Sequence, residues 1–390
     1  MKINVLRTAG AGLYQELSKK AIGTPSTTIG VIILVLIIVI VFIAISNHNS
    51  LLKKNIDRIN KYNRNNKVSI TNFPLNKYAK GHALRDYYIK TAYNCCASGE
   101  LKNDFVHTDA LKGCIKQGVR CLDFQIQCVD DKPVITVSTR KNYNIKESNN
   151  IVIFEDALQI IKNYAFSPSE SPNPEDPLIL HFRILSGNTR ILKKMAISLR
   201  DKLQDKLLGK DYAFQYIRQA SNGKEKRQNI GAVALEKLKG KVIIIIDRKY
   251  ADTYDSVLDE YVNLTSNDPR GFMQNISHKK TKDSDMEELI KYNKQKMTMS
   301  HPDLKRNLQN QNPIKAINTG CQFIAMAFQK VNSENFKFYN SMFNKEGSAF
   351  ILKHENLRNI NIILPGKKPP NEEHSYAPRV IEEDYFKIKI

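Results

Sequence analysis

Seventeen consecutive residues, Ile29 to Ile45, read IGVIILVLIIVIVFIAI and carry no charge. A run of this length is near the lower limit for crossing a bilayer core and too long for a buried strand. A secretory signal peptide is the rival reading. Against it, 28 residues precede the run and Ile45-Ser46-Asn47 offers no small-residue cleavage site. The expectation is a leader over 1–28, one transmembrane helix over 29–46 and, over 47–80, a basic juxtamembrane stalk or a first helix. Lys19 and Lys20 flank one side, with Arg7 further off; Lys53, Lys54, Arg58, Lys61 and Arg64 follow on the other. That excess places the larger C-terminal part on the cytoplasmic side of a single-pass protein. Sequons at Asn263 and Asn275 point the other way, in a chain rich in Asn.

A net charge of +21 favours anionic partners such as phospholipid headgroups, nucleic acid or an acidic protein. Abundant Lys, Asn and Ile also fit an AT-rich coding sequence, which raises the Lys count without any function. No Gly-rich phosphate loop, zinc signature or nucleic-acid motif is present, so nucleic acid is not expected. The six cysteines lack zinc spacing, and reduced, buried thiols suit a cytosolic domain.

Beyond the stalk, strand and helix patterns alternate. DYYIKTA reads as a strand, and HTDALKGCIKQG as a helix with Thr108 as N-cap and Gly118 as its stop. RCLDFQIQCVDDKPVITVSTR reads as two strands about a turn at Asp130 and Asp131. Phe154, Ala157, Leu158, Ile161 and Ala165 share one helix face. SPSESPNPEDP is a loop by composition; PLILHFRIL is a strand; 189–208 is a basic helix; GKVIIIID is another strand. A polar, weakly patterned stretch follows, and CQFIAMAFQ and AFILKH close the series. Strands alternating with helices imply an α/β fold, and a (β/α) barrel fits the count and length.

The ordered segments YYIKTAYN, GVRCLDFQIQ, KPVITV, FEDALQIIKNYAF and PLILHFR, followed by NPIKAINTGCQFIAMAFQ and AFILKH, resemble the X and Y halves of phosphoinositide-specific phospholipase C. The resemblance spans roughly 82–365. It implies a distorted TIM barrel of the phospholipase C-like phosphodiesterase type, with an X-like half over 81–250, a linker over 251–285, a Y-like half over 286–365 and a tail over 366–390. It also implies cleavage of phosphatidylinositol lipids by two histidines and, in eukaryotic members, a calcium ion.

The residues at those places differ. Where the family has its first histidine, in a His-Asn pair, this chain has Tyr93 and Asn94; where it has the second, Val137. Neither tyrosine nor valine replaces imidazole near neutral pH. The positions matching the calcium ligands are Asn94, Asp123, Gln125 and Arg183. One carboxylate remains, and a guanidinium ~4 Å from a divalent ion repels it by about 8 kcal/mol at an effective dielectric of 20. An Arg183–Asp123 pair is the expectation, with no calcium. The family's Ser-Arg-x-Tyr-Pro run aligns with Thr298, Met299, Ser300, His301 and Pro302, and two lysines align with Ile245 and Asp247. The binding residues of this degenerate pocket are therefore Asn94, Asp123, Gln125, Arg183, Thr298, Met299 and His301. A strand histidine such as His181 reads as a packed, hydrogen-bonded residue.

The resulting expectation is a membrane-anchored, catalytically inactive barrel that binds an anionic phospholipid surface or a structural protein partner, in a cellular or a virion inner membrane. The alternative is an active phosphoric diester hydrolase acting on phosphatidylinositol lipids.

Overall fold

The computed structural model describes residues 25–74, 81–140, 145–219, 225–227, 229–249, 257–305, 307–359 and 378–389. The leader up to residue 24, the end of the stalk (75–80) and the tail from 366 to 377 lie outside the described residues.

Eight strands form the frame: β1 (Tyr87–Ala92), β2 (Cys121–Val129), β3 (Leu178–Ile184), β4 (Val242–Asp247), β5 (Leu264–Ser266), β6 (Met273–Ser277), β7 (Met297–His301) and β8 (Phe323–Met326). Each is parallel to its neighbours, and β1 closes the circle by pairing with both β8 and β2, with Thr91 opposite Ala325 and Cys121. A closed sheet has no edge to protect, and its strands, covered on both faces, become runs such as the Val242–Ile246 stretch of β4. Three short antiparallel strands add to the frame: Lys132–Thr136 on β2, Val152–Ile153 beyond it, and Phe350–Leu352 on β1. The fold is thus the expected α/β barrel.

Helices α2 (Thr108–Lys116), α3 (Phe154–Tyr164), α4 (Arg190–Leu203), α5 (His278–Asp283), α6 (Met286–Gln295), α7 (Ile314–Asn318) and α8 (Glu334–Glu346) connect the strands. The apolar face of α3 is buried as its spacing required: Phe154, Ala157, Leu158, Ile161 and Ala165 all lie in the core. Burying each large side chain stabilises the fold by about 1.5–3 kcal/mol before entropy is counted. The cap of α2 is His107 rather than Thr108, because its Nδ1 accepts from the Asp109 amide at 3.1 Å. The turn after β2 is tighter than its composition suggested. Asp130 and Asp131 alone form it, both at positive φ (50° and 56°), and Lys132 already pairs with Val129.

One stretch corrects the sequence reading. Residues 251–285, expected to be a linker, supply β5, β6 and α5. These strands are short and carry polar side chains inward, so no alternation marks them. The Ser/Pro stretch after α3 is the loop its composition indicated, and it is packed against the barrel. Arg120, fully buried at the foot of β2, donates to Ala165 O at 3.0 Å and to Ser171 Oγ at 2.6 Å, and also binds Asn173.

Before the barrel, Pro25–Asn65 forms one continuous helix, α1. Its first half exposes Ile29, Ile32, Leu36, Ile40 and Phe42 among others. The side chains of 25–28, 44 and 47–49 are outside the described residues, and among the described residues no helix is long and apolar enough to cross a membrane. The expected transmembrane span over 29–46 is therefore not borne out, although the segment is helical throughout. The stalk is not free-standing. Asn55 Nδ2 donates to Asp104 Oδ1 at 2.8 Å, Arg58 reaches Ser98 O at 3.5 Å, Ile59 packs at Gly113, and Gln117 Nε2 donates to Asn63 Oδ1 at 3.0 Å.

These contacts fix a direction. Ser98 and Asp104 lie in the loop leaving the C-terminal end of β1, on the barrel face where βα loops gather, and Gln117 lies at the far end of α2. Helix α1 therefore descends beside α2, and residues before Asn55 continue past the loop-bearing face. A second unit, Asn359–Ile390, contains a hairpin of Val380–Glu383 and Phe386–Lys389. All six cysteines are free thiols.

Candidate functional site: the barrel mouth

Strands β1, β2 and β3 bring four of the expected residues together. Asn94 follows β1 in the left-handed region (φ 46°), a conformation asparagine tolerates. That turn aims its backbone N–H at Asp123 of β2 and its side chain at Arg183 of β3. Asp123 and Arg183 project from adjacent parallel strands, in the register that sets Asp123 opposite His181 and Gln125 opposite Arg183.

Asp123 is fully buried and accepts four hydrogen bonds. Oδ1 takes Arg183 Nε at 2.9 Å and His181 Nδ1 at 2.7 Å; Oδ2 takes Arg183 Nη2 at 2.8 Å and the Asn94 amide at 3.0 Å. Burial alone would raise its pKa. The guanidinium and the imidazole outweigh it and hold the carboxyl well below the usual carboxylate range. Arg183 Nη2 also donates to Asn94 Oδ1 at 2.5 Å. The guanidinium lies 4.6 Å from the Tyr93 ring centre, and that ring stacks on His301 at 5.5 Å and 8°. Arginine, tyrosine and histidine form a three-layer stack across the mouth.

The remaining positions divide. Met299 is buried two residues before His301, and Val137 is buried beyond the β2 hairpin. Gln125 lies beside the cluster without joining it, its Nε2 buried and unpartnered, as is Asn94 Nδ2. Thr298 belongs elsewhere: its hydroxyl donates to Asn293 Oδ1 of α6 at 2.5 Å, and its amide to Gln322 Oε1 at 2.9 Å. It faces the helix layer, so its place among the pocket residues is corrected.

His181 is a member of the site that sequence reasoning assigned only to packing. Its Nε2 meets Ser266 Oγ at 3.3 Å, which ties β5 into the network. The signal was its position two residues before Arg183, on the same strand face. At the end of β4, next to β3, Asp247 accepts from Asn267 Nδ2 at 2.9 Å and Asn275 Nδ2 at 3.0 Å. Asp247, where a lysine was the family expectation, thus organises β5 and β6.

This donor set does not suit a hard cation. Calcium takes six to eight oxygens. Both Asp123 oxygens and Asn94 Oδ1 already serve Arg183 and His181, and the unpartnered atoms nearby are amide donors. Among the described residues no group of three or more His, Cys, Asp and Glu could hold a metal.

Two family models match the chain: phosphatidylinositol-specific phospholipase C, X domain, over residues 81–249, and Y domain, over 254–356. Among solved structures, PLC21 of L. pealei aligns at 20% identity and a TM-score of 0.58, covering 72% of this chain and 38% of its own. PLC21 of S. officinalis aligns at 19% identity and 0.58, covering 73% and 38%. The chain therefore spans well under half the length of these relatives, and at such identity they speak for the fold alone. No curated protein matches it. With both halves matched in order over the closed barrel, the chain belongs to the phosphatidylinositol-specific phospholipase C family, in its X and Y domains.

Proposed function

We propose that this chain is a membrane-associated member of the family that binds rather than cleaves, as a structural or lipid-binding component, and that it works without calcium. The observation carrying this reading is Arg183, which forks onto Asp123 and stacks on Tyr93. The group at the centre of the mouth is thus a cation supplied by the protein. General acid–base cleavage needs a titrating group free to reach substrate. Tyr93 is held between Arg183 and His301, Val137 cannot titrate, and His181 is fully buried with both ring nitrogens engaged.

Attachment is assigned to the exposed apolar residues of α1, with the barrel on the cytoplasmic side by the basic excess from Lys53 to Arg64. A virion inner membrane as the setting rests on the AT-rich composition, the short apolar run, the minimal X–Y body and the replaced site residues. An active phosphodiester hydrolase is the second reading, and the His181–Asp123 pair is the feature favouring it.

The deciding experiment assays the full chain, purified in detergent, on phosphatidylinositol with and without calcium. No turnover is expected, and calcium titration is expected to show no specific site. Calcium-dependent turnover exceeding that of Asp123→Ala would overturn the reading.

A further inference from the structure

Two open clefts, of about 560 and 380 Å³, run along the lower half of α1 and meet at Arg58, Val331 and Asn332. Together they form one groove between α1 and the loops that follow β7 and β8. Its α1 wall is fixed in place, because Asn55 is bound to Asp104 and Ile59 is seated at Gly113. A groove already formed spares a ligand the cost of shaping it. None of its lining residues belongs to the barrel mouth.

Lys54, Arg58 and Lys61 stand at i, i+4 and i+7 and so form one stripe along the groove. All three are exposed, and no salt bridge among the described residues engages them. Arg58 Nη2 donates to Asn55 Oδ1 at 3.0 Å and reaches Ser98 O at 3.5 Å, two neutral acceptors that aim the guanidinium without neutralising it. Asp57 is the one carboxylate in the lining, and Lys330, the remaining cation, is taken up by Glu100. Three unneutralised cations against one carboxylate leave the groove positive, and a concave wall of one sign concentrates the opposite charge. Beside the stripe Asn307, Gln309 and Asn332 expose side-chain amides, each able to donate and to accept.

We propose that this groove receives an extended acidic segment of a partner protein, with its carboxylates on Lys54, Arg58 and Lys61 and its main chain on the amides opposite. An extended strand presents alternate side chains on one face about 6.7 Å apart, close to the step of about 6 Å along α1 from Lys54 to Arg58. The main-chain N–H and C=O groups of such a segment need partners of both kinds, which the amides supply. A lipid headgroup fits the groove less well. Lys54 and Lys61 stand about 14 and 24 Å along the helix from Ile45, the end of the apolar run, whereas a headgroup layer is only about 5–7 Å deep. The groove thus opens into water beside the membrane that the apolar half of α1 engages, within reach of a protein lying along that membrane.

The inference gives the proposed structural role a contact surface and rests on that reading, and the two fail separately. Phosphatidylinositol turnover would end that reading without touching the groove titration. The full chain in nonionic detergent is titrated into a fluorescein-labelled ten-residue peptide alternating Glu and Ser, read by anisotropy. Binding is expected, and none to the same peptide with Gln for Glu. Changing Lys54, Arg58 and Lys61 to glutamine should weaken binding about tenfold, as three exposed ion pairs are lost. Changing exposed Lys162, Lys193 and Lys291 to glutamine, an equal loss of charge elsewhere, should leave it near native. Asp57→Asn, which removes the opposing carboxylate at an exposed position, should tighten binding about twofold. Equal loss from the two sets, or no gain in Asp57→Asn, would reduce the contact to attraction by net charge and overturn the proposal. In phosphatidylcholine nanodiscs, dihexanoyl phosphatidylserine added below its micellar range should leave the peptide bound. Displacement would give the groove to a lipid headgroup and overturn the proposal as well.

Discussion

Arg183 and Asp123 decide the character of the mouth, and their energetics are testable one side chain at a time. Two buried ions cost solvation that their attraction only partly returns, so the pair is weak evidence of stability. Removing one partner is another matter. Arg183→Met leaves Asp123 buried with only His181 and the Asn94 amide, and should cost about 3–5 kcal/mol in chemical denaturation. The sign with pH follows from the depressed carboxyl. The folded pKa lies below the unfolded value of about 3.9, so the contribution is fully present above about pH 4 and is lost as pH falls toward the folded value. The native chain should therefore lose stability on acidification below about pH 4 more steeply than Asp123→Asn. Parallel slopes in the two proteins would show that the carboxyl is not so held. The pair itself was legible through the resemblance, which set a guanidinium and a carboxylate at positions matching one ligand site of the family. The His301–Tyr93–Arg183 stack was not, since ring contacts between β1, β3 and β7 leave no trace in spacing.

Among the elements of the barrel, those with long apolar patterns were read correctly and those built on polar inward residues were not. The β4 run and the α3 face each carry a period that admits one interpretation. In β5 and β6, by contrast, Ser266 and Asn275 turn inward to His181 and Asp247. A strand that presents polar groups to a polar barrel interior resembles a loop in sequence. Thr298 was misplaced for a related reason: β7 has polar residues on both faces, so the sequence does not say which face is which. The docking of α1 was equally hidden, because its seat depends on a residue with no side chain. A Cβ on Gly113 would lie 2.9 Å from both Ile59 Cγ2 and Asn63 Nδ2. Gly113→Val should therefore lift the lower half of α1 from the barrel. Trypsin should then cut at Arg58 and Lys61 several-fold faster while thermal unfolding of the barrel shifts little. Unchanged cleavage would mean that the helix adjusts without leaving its seat.

On the scale of the whole molecule, an unbroken α1 makes the barrel's heading a function of residue count. One residue inserted between Asn47 and Leu51 turns the barrel by about 100° about the helix axis and shifts it by about 1.5 Å; seven nearly restore the original heading, about 10 Å further along. A probe on Lys305→Cys would report this, since Cys128 is half-buried and the other native thiols are buried. In membranes carrying lipid-bound quenchers, insertions of one to seven residues should make quenching oscillate with a period near 3.6 residues. A smooth decline would mean a swivel between the two halves of α1. The count of residues between Ile45 and Asn55 then serves as a compass setting: length changes there would be tolerated only in whole turns.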